Sequence, residues 1–180
     1  MRRLFAVAAL AALLAGCTDN PAPEKKDAMA AAPAADSLHY PYKATYSSAF
    51  TMGDPANAKI VLDIWKAYET NKLGDTKSLF ADSVTMEFSD GFFLHTSRDS
   101  LIAGGNADRA QYASVVDSVE AWQSIHLTDK NEDWVAVWAR EWTASNKGKK
   151  DTAAVHEIWQ LKGGKVTYMA QYRGKRKMYN

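Results

Sequence analysis

From residue 118 to about residue 173, apolar side chains recur at every second position in four successive runs: 118–127, 134–144, 152–161 and 165–173. A period of two puts alternate side chains on opposite faces of an extended chain, so each run is a strand with one face turned to a core. The breaks between them suit short connections: Asp129 to Glu132, Ser145 to Lys150, and Lys162-Gly163-Gly164-Lys165. A Gly-Gly pair supplies the positive φ that a two-residue hairpin turn demands. The chain's carboxyl-terminal part is thereby committed to a four-strand antiparallel meander, and the preceding elements must cover one of its faces.

Those elements read as helices. Asp54 is a side-chain N-cap and Pro55 occupies the first helical position, where its missing N–H costs nothing. Ile60, Val61, Ile64, Trp65 and Tyr68 then follow at helical spacing, with Lys59, Asp63, Lys66 and Glu69 off that stripe. Leu73-Gly74-Asp75 ends this helix, and Asp75 caps a short second one finishing near Phe80. Val84 to Phe88 is a strand and Asp90-Gly91 its turn. Ser97 caps a third helix over Arg98 to Ala113, which Gly104-Gly105 weakens by about 1 kcal/mol per glycine and is able to break. The whole is an α+β domain over residues 54–174: a curved antiparallel sheet with about three helices packed on one face.

The registers of the meander follow from its turns. A two-residue turn at Gly163-Gly164 pairs Leu161 with Val166, Trp159 with Tyr168, Glu157 with Ala170 and Val155 with Tyr172. One face then gathers Val135, Val137, Ala139, Val155, Trp159, Leu161, Val166, Tyr168 and Tyr172, with Glu141 and Glu157 its only acids. This is the face under the helices. The other collects Trp134, Trp138, Trp142, His156, Ile158, Met169, Gln171 and Arg173, too aromatic for plain exposure to solvent and suited to a partner surface. A one-residue bulge would exchange these sets.

The amino-terminal part is physically different. All five prolines precede residue 56, and all six tryptophans follow residue 64. Residues 1–16, MRRLFAVAALAALLAG, have the basic start and short apolar run of a signal peptide, too short for a membrane span, which needs roughly 17–25 apolar residues. Leu14-Ala15-Gly16-Cys17 resembles the bacterial lipobox, which implies diacylglycerol on the Cys17 thiol and cleavage before it. This cysteine is the only one in the chain, so an internal disulfide is excluded. Two or three acyl chains give stable anchoring where one gives only marginal binding. The bilayer is thus an expected partner. Thr18, in the place where lipoproteins retained in the inner membrane commonly have aspartate, points to the outer membrane.

Cleavage removes Arg2 and Arg3 and changes 22 basic against 21 acidic side chains into 20 against 21, a net −1. Such a balance excludes the basic footprint of a nucleic-acid binder. Residues 17–53 read as the lipidated cysteine and an Ala/Pro-rich disordered tether, too poor in apolar side chains as far as Asp36 to offset the entropy of ordering. As a flexible coil it reaches ~30–36 Å. Its aromatic end, Leu38 to Phe50, either packs along the domain edge or is a loose linker. Residues 175–180 form a basic tail, solvated or touching anionic headgroups.

The element order, together with the closing stretch VHEIWQLKGGKVTYMAQYRG (Val155 to Gly174), resembles the SnoaL-like members of the nuclear-transport-factor-2-like fold, a cystatin-like roll. That resemblance implies a cone-shaped pocket between helices and sheet, and a homodimer through the outer sheet face. The pocket would be lined by Trp65, Tyr68, Asp90, His95, Trp159, Tyr168 and Tyr172, and the dimer face would carry Trp138, Trp142, His156 and Met169. Enzymes of this fold work by acid–base catalysis in an apolar cone, where burial raises a carboxyl pKa. Glu157 is the matching group here, with Tyr168 or Tyr172 as hydrogen-bond donor.

The His/His/Asp set of scytalone dehydratase and the Asp/Arg/Asp set of limonene epoxide hydrolase have no counterparts at matching places. The four histidines (His39, His95, His126 and His156) lack metal-ligand spacing, so neither a metal nor a cofactor is expected. Two functions stand. One is a membrane-anchored module binding a small apolar ligand or a partner without catalysis. The other is a small isomerase, dehydratase or cyclase. A second acid converging on Glu157 in a closed pocket would favour the enzyme, whereas a pocket filled by its own aromatic side chains would sink both enzyme and ligand binding.

Overall fold

A computed structural model describes residues 39–175. The signal peptide, Cys17, most of the tether and the end of the basic tail lie outside the described residues. Residues 39–43 belong to a separate amino-terminal unit and carry no regular structure, while the folded unit begins at Ala44.

Helix α1 spans Pro55–Glu69, and Asp54 Oδ1 accepts from the Ala56 amide at 2.8 Å. Its buried stripe of Ala58, Val61, Ile64 and Ala67 faces the sheet. The short second helix is a 3-10 segment, Leu73–Leu79, which runs directly into strand β2, Phe80–Phe88. Helix α2 spans Arg98–Arg109, with Ser97 Oγ accepting from the Ser100 amide at 3.2 Å. Gly104 and Gly105 do not break it. Gly105 lets the helix close on the 3-10 segment, since a Cβ there would lie 2.5 Å from Leu73 Cδ2. The helix ends four residues earlier than its periodicity suggests. The Arg109 guanidinium donates back to the carbonyls of Tyr68, Glu69 and Tyr112 and so fastens the end of α1 to the start of the next strand.

Among the described residues the sheet has seven strands in the order β1-β4-β5-β6-β7-β2-β3. Strands β4 (Tyr112–Leu127), β5 (Glu132–Ser145), β6 (Lys150–Lys162) and β7 (Lys165–Lys175) are the meander read from the sequence. Strand β3, Phe93–Ser97, forms a hairpin with β2. The sheet is mixed rather than wholly antiparallel, because β2 pairs parallel to β7. At the other edge, β1 (Phe50–Met52) pairs antiparallel with the end of β4.

The tether boundary at residue 53 is therefore too late, because the chain is strapped down from Tyr46 onward. Tyr46 donates to Glu132 at 2.6 Å and meets Trp134 edge-on, Ser47 donates to Asp129, and the Gly53 amide donates to Ser124 O. Gly53 permits this approach, since a Cβ would lie 2.9 Å from the backbone of Ile125.

The inner face of β5 and β6 is as the alternation implies: Val135, Val137, Ala139, Val155, Trp159 and Leu161 are buried there. Strand β7 departs from it. Leu161 pairs with Val166, but Gln160 pairs with Tyr168 and Trp159 with Met169, so Thr167 is an extra, bulged residue. Its Oγ1 reaches Gln160 O at 3.3 Å. Beyond the bulge the side chains exchange faces: Met169, Gln171 and Arg173 turn inward, and Tyr168 and Tyr172 turn outward.

Candidate functional site

Helices and sheet border a cavity of about 690 Å³ that the side chains of the described residues leave open. One wall is apolar: Ile64 and Trp65 from α1, Leu101 from α2, and Phe80, Met86 and Phe88 from β2. Asp90 and the exposed Phe92, in the β2–β3 turn, are at its rim. The sheet side is polar, carrying Asp117 on β4, Glu141 on β5, Glu157 on β6, and Gln171 and Arg173 on β7. Asp108 on α2, itself exposed, also borders the cavity and accepts from the Tyr68 hydroxyl at 2.5 Å.

Glu157 is 5% exposed and both its oxygens are engaged. Trp159 Nε1 donates to one at 2.9 Å and Gln171 Nε2 to the other at 2.7 Å. Burial pushes its pKa up to about 7 against the pull of those donors and of the Trp65 indole, with Glu141 adding to the rise. The Trp65 N–H is itself buried and outside hydrogen-bonding geometry with any partner.

Asp117 differs. It sits directly across from Glu141 in the β4–β5 register, on the same face. Arg173 donates to Glu141, so Glu141 has its countercharge and Asp117 does not. Asp117 Oδ1 is buried with no hydrogen-bond partner. Burial first, then Glu141, Glu69 and Glu157, raise its pKa to about 7, with Lys66 opposing. This is the carboxyl left available to a ligand. The strand expected from Ser118 onward stops one residue short of it, because Val115-Val116-Asp117-Ser118 pairs two apolar with two polar residues and so breaks the period of two.

Of the sequence-derived pocket residues, Trp65, Tyr68, Asp90, Glu157 and Trp159 line the cavity. His95 does not. It alternates with Leu94, which faces inward, and its ring lies exposed between Ser83 Oγ at 3.1 Å and Thr85 Oγ1 at 2.9 Å. Tyr168 and Tyr172 are also absent from the lining, because the Thr167 bulge rotates them outward. Tyr168 meets Trp134 edge-on, and Tyr172 is 58% exposed.

The same bulge removes Met169 from the dimer-face set, for it is buried in the core and lines the cavity. Trp138, Trp142 and His156 lie on the outer face, the two tryptophans 37% and 41% exposed. The Trp138 and His156 rings stack at 5.0 Å. With Tyr172 they border a shallow depression of about 390 Å³. Among the described residues no three His, Cys, Asp or Glu side chains converge closely enough to hold a metal ion.

A cone between helices and a curved mixed sheet, closed by the β2–β7 parallel pair, defines the nuclear-transport-factor-2-like, cystatin-like fold. Solved structures share it over the folded part of the chain. A SnoaL-like protein of the polyketide cyclase type from Jannaschia sp. CCS1 superposes with a TM-score of 0.56 at 15% identity, over 67% of this chain and 86% of that one. An LEH-like epoxide hydrolase from M. tuberculosis gives 0.56 at 9% identity, over 67% and 84%. An NTF2-like protein from Anabaena variabilis gives 0.55 at 12% identity, over 70% and 95%. At these identities the likeness is one of fold. No family model and no curated protein matches the chain in sequence.

Proposed function

We propose that this protein is a membrane-anchored bacterial lipoprotein whose SnoaL-like domain holds a small, largely apolar ligand. The cavity carries the reading: about 690 Å³ left open, within the range of small-molecule sites, with an apolar wall and a few placed polar groups. Glu157, the candidate catalyst from the sequence, has both oxygens committed to neighbours and serves as a fixed part of the floor. The anchor rests on Leu14-Ala15-Gly16-Cys17 after the apolar run, and the outer membrane on Thr18. The outer aromatic face around Trp138, Trp142 and His156 serves a second copy of the chain.

Native mass spectrometry of the protein purified from its own host tests the ligand and the dimer together. A co-purifying small molecule on a dimer is expected, and a bare monomer refutes both. Cys17→Ser should release the protein from the membrane fraction. Persistence there refutes the anchor.

One observation favours a second reading, a small acid–base enzyme of the isomerase, dehydratase or cyclase type. Asp117 is unpartnered, faces the cavity and has a pKa of about 7, suited to taking and returning a proton near neutral pH. Turnover of a bound small molecule, abolished by Asp117→Asn with binding intact, would establish this reading over the first.

A further inference from the structure

We infer that the cavity selects an organic cation: a protonated amine or quaternary ammonium carried on an apolar body. This rests on the ligand-binding reading and names the class of ligand. Five carboxyl side chains line the cavity: Asp108, Asp117, Glu141 and Glu157 from four different elements, and Asp90 at the rim. Among the described residues the only cationic side chain in the lining is Arg173, and it is spent on Glu141. An anionic ligand would meet this surplus of acid in a poorly hydrated space, where like charges repel more strongly than in water. A neutral ligand could at most donate an uncharged hydrogen bond to the buried Asp117 Oδ1, and would leave the surplus of acid without a countercharge.

An ammonium group supplies what is missing. It offers Asp117 a countercharge and, if protonated, an N–H donor, and charge-assisted hydrogen bonds are about twice as strong as neutral ones. The aromatic side chains of Trp65, Tyr68 and Trp159 in the same lining provide π faces that attract a cation. A bare metal ion fits less well, since the carboxylates are spread around the wall rather than converged on one point. The groups facing Asp117 are Glu141 on β5, Glu157 on β6, and Glu69 and Lys66 on α1. Three of the four are acids, so Asp117 is only partly ionised at neutral pH, and a bound cation draws off the proton it still shares.

The test uses three probes of one shape: 2-phenylethylamine, 2-phenylethanol and phenylacetate, titrated calorimetrically into the full lipidated chain in detergent at pH 7. The amine should bind at least about tenfold tighter than the alcohol, and phenylacetate weakest. Heats in phosphate and Tris should differ by the ionisation of buffer taking up a released proton, a readout that needs no variant. Asp117→Asn should remove the preference for the amine over the alcohol. Equal affinity for amine and alcohol, or tightest binding of phenylacetate, overturns the cation assignment while leaving the ligand cavity standing. Failure of all three probes overturns the cation assignment together with the cavity reading.

Discussion

Replacing Glu157 with glutamine should make the protein more stable at pH 8, and the gain should vanish in acid. A carboxyl whose pKa rises from 4.5 to about 7 on folding binds its proton more tightly in the folded chain than in the unfolded one. Below about pH 4 both states hold the proton and the group is neutral in each. Between 4.5 and 7 the unfolded chain releases it and the folded chain does not, so stability falls with rising pH by about 1.36 kcal/mol per pH unit. Above 7 the loss levels off at about 3 kcal/mol.

Glutamine escapes this titration and keeps the hydrogen bonds. Its carbonyl accepts from Trp159 Nε1, and its amide donates to Gln171 once that side chain flips to present its own carbonyl. Urea unfolding followed by circular dichroism at pH 4.5, 6 and 8 should show a gap that opens with pH. The gap reaches about 3 kcal/mol at pH 8. The variant should retain part of the slope, because Asp117 titrates with the same sign. Parallel stability profiles for the two proteins would refute the reasoning. A variant weaker than the parent at pH 8 would refute it too, by showing that the floor is built around the ionised carboxylate.

Three further outcomes follow from other parts of the fold. Arg109→Ala strips donors from the carbonyls of Tyr68, Glu69 and Tyr112 at a buried site, and should cost about 3 kcal/mol in urea unfolding. Gly53→Ala forces a Cβ against the Ile125 backbone and should lift the strap: amide exchange at residue 53 and Thr128 should quicken at least about tenfold, with the β5–β6 ladder unchanged. Trp138→Asp puts a charge on the outer face proposed to serve a second copy, and on that proposal light scattering should report a dimer for the parent and a monomer for the variant.

Much of this architecture was legible because hydrophobic period reports burial directly. The α1 stripe, the meander and the inner faces of β5 and β6 follow from spacing alone, as does the presence of Glu141 and Glu157 on the cavity side. What escaped depends on local counts that spacing does not carry. One additional residue, Thr167, turns the second half of β7 over, trading Tyr168 and Tyr172 for Met169, Gln171 and Arg173 at the cavity. Strand β3 is five residues long and runs into the Ser97 cap, so its alternation is too brief to stand out. The importance of Asp117 depends on a cross-strand neighbour, Glu141, and on Arg173 preferring that neighbour, which are facts of the fold and not of any single strand.

The strap has a bearing on how load enters the sheet. It joins the sheet where β4 ends and β5 begins, at Leu127 and Glu132, whereas Asp117 and Glu141 lie nine or ten residues farther along the same strands. At ~3.3 Å per residue that separation is about 30 Å along the strands. The strap thus holds one end of these strands, and Asp117 and Glu141 stand at the other. Tension applied at Ala44 would be borne by the β1–β4 pairing and the Tyr46 contacts before it reached Asp117 or Glu141.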